Sequence, residues 1–208
     1  MAKAASDRSG RGLAAFVAAL VASIVVGVGG YWAGRATAPS STPGADSVEA
    51  GFARDMQAHH VQGVEMALII RDRTEDADMR RMAYDIATTQ GHQSGQLFGW
   101  LAVWGLNQLG SQPPMAWMGH TGHDMNALMP GMATSAQMTE LSAASGVDAE
   151  RLFLHLMIAH HRGALEMSEA VRTRTTNPTV LAFATAVLTS QQSEIDLMTT
   201  LLAAREGR

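Results

Sequence analysis

The stretch MQAHHVQGVEM at Met56–Met66 returns as MIAHHRGALEM at Met157–Met167. Each copy has a methionine, two adjacent histidines three residues on, and a Glu-Met pair beyond them. The copies stand 101 residues apart, and the same offset relates Gln90, Gln93, Leu97, Trp100 and Leu101 to Gln191, Glu194, Met198, Leu201 and Leu202. A constant offset held across two separated segments marks a duplicated unit. Apolar residues recur at helical spacing in each segment, so the unit is a helical hairpin. Neither hairpin can bury its apolar stripe alone. The pair is expected to pack as an all-α four-helix bundle.

Local signals bound the helices. Asp46 with Glu49 resembles a capping box, opening a first helix that runs to about Arg71. Thr74 is placed to cap a second, with Glu75, Asp76 and Asp78 in its first turn, running to about Trp104. A third is expected from near Asp148 to near Thr175. Asn177-Pro178 supplies the N-cap and first position of a fourth, ending near Arg205. The bundle domain is therefore 47–208, with hairpin one at 47–104, a connection at 105–147 and hairpin two at 148–205.

At about 100° per residue, Met56, His60, Gly63, Ala67 and Ile70 share the inward stripe of the first helix. His59 and Met66 lie on one edge of it and are expected to be partly exposed. The third helix repeats this with Met157, His161 and Ala164 inward and His160 and Met167 at the rim. Gln90, Gln93, Gln191 and Glu194 turn inward from the other two helices, while His92, Glu65 and Glu166 face solvent. Arg54, Asp55 and Gln62 fall on the polar side of the first helix. Inward polar groups need partners. They can satisfy one another across the bundle, or some can hold a metal.

The connection contains PPMAWMGHTGHDMNALMPGMATSAQM, and six of the 14 methionines lie between Met115 and Met138. Thr134 to Gln137 can cap a short helix reaching Ala144. These methionines can plug an open bundle end, since Met fills irregular gaps. They can also serve as ligands. The chain has no cysteine, which leaves thioether and imidazole as its soft donors. That set fits Cu(I), and imidazole also accepts Cu(II). The candidate ligands are Met56, His59, His60, Met66, Met118, His120, His123, Met125, Met157, His160, His161 and Met167. Imidazoles with an ordinary pKa of about 6.5 should release metal first on acidification.

Lys3, Arg8 and Arg11 precede a charge-free run from Leu13 to Gly34. Roughly 20 apolar residues span a bilayer as a helix, so 13–34 reads as a transmembrane signal anchor. Ala36-Thr37-Ala38 resembles a cleavage site, but Pro39 should hinder cutting. The basic flank keeps residues 1–12 cytoplasmic and sends the rest out through a 35–46 linker.

The paired HHxxxxEM motifs, the Gln-x-x-Glu/Gln helices and MPGMATSAQM together resemble the family called domain of unknown function 305, from about residue 47 to the C-terminus. The resemblance implies a ferritin-like four-helix bundle, generally exported or membrane-anchored. It also implies that some relatives are extracytoplasmic copper-binding proteins using Met and His. Carried over by position, it points to Met56, His59, His60, Met66, Met157, His160, His161 and Met167. Gln93 stands where the second hairpin has Glu194, so the two halves need not bind alike.

Net charge is −4, with no basic run after residue 40, which gives no footprint for nucleic acid. An anchored copper binder is the first expectation, with the membrane and copper ions as partners. A second copy or a copper-handling protein remains open as a further partner. The alternative is a metal-free interaction module whose histidines are structural. A di-iron or di-manganese oxidase would need about four carboxylates and inward Glu-x-x-His pairs. Here Glu194 alone is clearly inward, and no Glu-x-x-His occurs. Nor is there a Ser-His-Asp spacing or a phosphate-binding glycine loop.

Overall fold

The computed structural model describes residues 23–30, 42–119 and 128–206. Residues 23–30 are helical and belong to a unit separate from the compact unit formed by Thr42–Arg208. Most of the 13–34 segment lies outside the described residues. Among those described, no helix is long and apolar enough to cross a membrane.

The compact unit is all-helical among the described residues. It consists of α1 (Val48–Arg73), α2 (Ala77–Val103), a single 3-10 turn at Ala116–Met118, α3 (Ser135–Ala143), α4 (Gly146–Arg172) and α5 (Pro178–Glu206). α3 opens with a full capping box between Thr134 and Gln137, as the TSAQ signal predicts. Asn177 Oδ1 caps α5, accepting the Thr179 N–H at 3.0 Å.

Two predicted caps are corrected. Ser47, not Asp46, caps α1, its hydroxyl accepting the Ala50 N–H at 3.2 Å. Asp76, not Thr74, caps α2, accepting the amides of Asp78 and Met79. Thr74 has a tertiary role, donating its hydroxyl to buried Glu150 across the bundle. Its counterpart 101 residues on, Thr175, donates likewise to Glu49, itself the counterpart of Glu150. The duplication therefore reaches beyond the helical stripes into the hairpin turns.

α1 packs along α2 and α4 along α5, and the hairpins meet mainly through α1 against α4. Two hydrophobic clusters result, each fed by all four long helices. One takes Met66–Ile70 from α1, Met79–Ile86 from α2, Phe153–Ile158 from α4 and Ile195–Leu202 from α5. The other takes Ala50–Met56, Leu97–Leu101, Ala164–Val171 and Val180–Val187. The start of α1 shares its cluster with the end of α4, so these two helices run antiparallel. Between the clusters every helix contributes a polar step, at His59-His60, Gln90–Gln93, His160-His161 and Gln191–Glu194. This is a polar layer across the middle of the bundle.

The face of α1 that reads as solvent-directed is the track on which the connection lies. The Asp55 carboxylate accepts the Met115 N–H at 2.7 Å and the Trp117 indole N–H at 2.8 Å. Burial raises the Asp55 pKa above the ordinary carboxylate value. Farther along, the Gln62 side chain grips both backbone groups of Ala133, donating to its carbonyl at 2.9 Å and accepting its N–H at 2.7 Å. Met115 and Met129 are buried in the second cluster, with Met118 and Met132 against it. Those four methionines do plug the bundle. His120, His123 and Met125 lie outside the described residues.

Candidate metal centre

All four motif histidines are fully buried at 0% exposure, and so are Met56, Met66, Met157 and Met167. This corrects the expectation that His59, Met66, His160 and Met167 form a partly exposed rim. The cover comes from the connection. Pro130 lies against the bundle so closely that a Cβ on Gly163 would sit 1.9 Å from the Pro130 carbonyl oxygen. His59 Nε2 donates to that same carbonyl at 3.0 Å. The Met-Pro-Gly-Met strap thus converts an edge of the helical stripe into interior.

The rings of His59 and His160 stack at 3.8 Å between centroids, tilted by 28°. His160 Nε2 donates to the His59 backbone carbonyl at 2.8 Å. His161 Nε2 donates to Glu194 Oε2 at 2.6 Å. A carbonyl or carboxylate oxygen can only accept, so in each neutral ring the hydrogen sits on Nε2 and the lone pair on Nδ1. Those three Nδ1 atoms are buried and find no hydrogen-bond partner among the described residues. At His60 neither ring nitrogen makes a hydrogen bond of normal geometry, although Gln93 lies close enough to favour its charged form.

Burial dominates the electrostatics of the layer. Loss of hydration pushes the His59 pKa down to about 4 and that of His60 to about 3. His160 is held well below 6.5 for the same reason, with the neighbouring imidazoles adding to the effect. These rings are therefore neutral at physiological pH, the form that binds a metal.

Gln90 and Gln191 are buried as the stripe predicts, at 1% and 2% exposure. Their amides find no hydrogen-bond partner among the described residues. Side-chain to side-chain pairing within the described layer is thus largely confined to His161 with Glu194. Gly63 permits this crowding, since a Cβ there would meet Gln90 Oε1 at 2.1 Å and His160 Cε1 at 2.9 Å. Glu65, Glu166 and His92 are exposed, as expected.

The motif methionines bracket the layer. Met56 and Met167 belong to one hydrophobic cluster, and Met66 and Met157 to the other. Each flank thus receives one methionine from each hairpin. Among the described residues, no three His, Asp or Glu side chains are arranged to hold a metal ion.

Residues 49–202 match the family described as Domain of unknown function (DUF305). The chain belongs to the DUF305 family. A putative secreted DUF305 protein from Streptomyces coelicolor is 48% identical in its solved structure, with a TM-score of 0.74 over 78% of this chain and 96% of that one. A DUF305 fragment from Deinococcus radiodurans is 30% identical, with a TM-score of 0.64 over 78% of this chain and 99% of the other. A protein named CopM, solved in a Cu(II)-bound form, shares the fold at 24% identity and a TM-score of 0.58, over 76% and 97% of the two chains. None of the curated proteins matches this DUF305 chain.

Two features of the DUF305 fold escaped sequence reasoning. The strap over His59 was hidden because a loop segment has no periodicity to read. The Thr74–Glu150 and Thr175–Glu49 contacts were legible in principle, because both pairs keep the 101-residue offset.

Proposed function

We propose that this protein is a membrane-anchored, extracytoplasmic copper-binding protein that sequesters or delivers copper through methionine and histidine. One observation carries the reading: the Nδ1 atoms of His59, His160 and His161 are buried without hydrogen-bond partners among the described residues, in a layer flanked by two pairs of fully buried motif methionines. Leaving such acceptors unpaired costs about 1–3 kcal/mol each, and a bound cation would satisfy them. Histidines that ligate metals commonly donate the other ring N–H to a carbonyl or carboxylate. These three do so. The donors fit copper by chemistry: His59, His60, His160 and His161 supply imidazole, and Met56, Met66, Met157 and Met167 supply thioether. With neutral, soft ligands and no thiolate, Cu(I) is preferred over Zn(II) and Fe(II). Met118, His120, His123 and Met125 form a second ligand set on the connection. CopM, similar in fold, was solved with Cu(II), with Cu(I) and with silver, which supports the reading.

The test is a Cu(I) titration of the detergent-solubilised full chain against a competing chelator. Replacing Met56, Met66, Met157 and Met167 by Leu keeps the bulk and removes the sulfur. Unchanged capacity would return the layer to a structural role, in keeping with the backbone hydrogen bonds of His59 and His160. Replacing Met118 and Met125 by Leu, with His120 and His123 by Gln, tests the connection separately. For the anchor at 13–34, protease added to intact spheroplasts should remove the 47–208 domain. Full protection would refute that placement.

A further inference from the structure

We infer that Glu194 makes the two halves of the polar layer unequal, positioning His161 for divalent copper while its counterpart His60, beside Gln93, serves monovalent copper. The inference rests on the copper-binding reading and concerns which oxidation state each half prefers. His161 is fully buried, and its Nε2–H is held at 2.6 Å by a carboxylate whose side chain is 23% exposed. That contact fixes the tautomer and leaves Nδ1 as the donor atom. A carboxylate behind an imidazole raises the basicity of the ligand and adds a negative charge near the ion. Coulomb attraction scales with the product of the charges, so the divalent ion gains twice what the monovalent ion gains.

The first hairpin lacks this device. Gln93 occupies the position of Glu194 one repeat earlier. It is uncharged, and among the described residues neither ring nitrogen of His60 makes a hydrogen bond of normal geometry. His60 is also fully buried, one turn from buried Met56. A neutral imidazole one helical turn from a thioether, with no fixed charge behind it, is a soft environment suited to Cu(I). One duplicated scaffold thus offers two chemically different half-sites, separated by a single carboxylate-for-amide exchange.

The experiment uses the full chain in detergent. Cu(II) affinity is measured by chelator competition with electron paramagnetic resonance, and Cu(I) affinity by competition under reducing conditions. E194Q keeps the shape and a hydrogen-bond acceptor but removes the charge. It should weaken Cu(II) binding about 10–100-fold and Cu(I) binding only about 3–10-fold, because the monovalent ion loses half the Coulomb attraction. Q93E should strengthen Cu(II) binding and add a second Cu(II) signal. The inference is overturned if E194Q leaves Cu(II) affinity intact, or lowers both oxidation states equally, as a merely structural residue would. Should E194Q fail to fold, Q93E decides alone, and no gain in Cu(II) binding overturns the inference. A parent chain that binds neither copper state overturns the copper reading itself, and this inference with it.

Discussion

His160 donates its Nε2 proton to the backbone carbonyl of His59, its own counterpart in the repeat, at 2.8 Å while the two rings stack at 3.8 Å. The duplicated motif therefore meets itself at the centre of the bundle. His59 does not return the bond. Its Nε2 goes instead to the Pro130 carbonyl of the strap, at 3.0 Å. Both rings should hold the Nε2–H tautomer in the metal-free protein at neutral pH. Long-range proton–nitrogen NMR correlation of the imidazoles reads this directly. An Nδ1–H tautomer at either ring would contradict the assigned hydrogen bonds.

Burial of these rings makes stability depend on pH. The His59 pKa falls from 6.5 to about 4 and that of His60 to about 3. As pH drops below 6.5, the unfolded chain takes up protons that the folded rings refuse. Stability should therefore be full above about pH 6.5 and fall on acidification, by at most about 1.4 kcal/mol per pH unit for each ring. Asp55, raised by burial, binds its proton more readily when folded and offsets part of the loss at the acid end. Urea midpoints measured from pH 7 down to pH 4 should decline, and less steeply in a His60→Gln variant. A flat profile would count against the buried neutral layer. Protons should also compete with metal at these rings only at lower pH than ordinary imidazoles imply.

Two glycines in the layer should respond differently to alanine. At Gly163 the added Cβ meets backbone, the Pro130 carbonyl, at 1.9 Å, and the strap must lift. At Gly63 the added Cβ meets side chains, Gln90 Oε1 at 2.1 Å and His160 Cε1 at 2.9 Å, which can give way more readily than backbone. Overpacking costs typically about 1–3 kcal/mol. Gly163→Ala should fall at or above the upper end and Gly63→Ala below it. Gly163→Ala should also speed amide exchange at Ala133, whose N–H is held by Gln62. Equal destabilisation of the two variants, with no change in exchange, would refute the strap as the cover of His59.

Much of this architecture is readable from periodicity and one offset. The helical phase places His60, Gln90, Gln191 and Met157 inside because their neighbours at three- and four-residue spacing are apolar. His59 and His160 sit one residue off that phase, so a single helix considered alone puts them at the edge. What buries them is non-local: a connection some seventy residues away in sequence from His59, gripped by Gln62. Asp55 and Gln62 read as solvent-facing for the same reason, since a polar side chain facing a loop backbone looks like one facing water. Thr74 and Asp76 both suit a cap, but Thr74 closes α1 through its N–H to the Ile70 carbonyl and gives its hydroxyl to Glu150, which leaves the start of α2 to Asp76.

The two symmetry-related turn contacts differ in one respect, which sets a last prediction. Glu150 accepts from Thr74 and also from Arg205 Nε at 2.6 Å, with both charged side chains 7% exposed. Arg205 reaches Asp76, the cap of α2, at 3.0 Å as well. At the opposite end Glu49 accepts from Thr175, but the position of Arg205 is taken by Trp104. Removing one member of a buried ion pair strands the other and costs about 3–5 kcal/mol, whereas losing an ordinary hydrogen bond costs about 0.5–1.5 kcal/mol. Glu150→Ala should therefore be far more destabilising than Glu49→Ala in urea unfolding. Replacing Glu150 and Arg205 together by leucine should recover most of the loss, because apolar packing can substitute for a buried pair. Equal costs for the two alanine variants would mean that Arg205 adds nothing to the clasp. A double variant no better than Glu150→Ala would mean that the clasp relies on the charges themselves, in setting how α5 closes against the turn between α1 and α2.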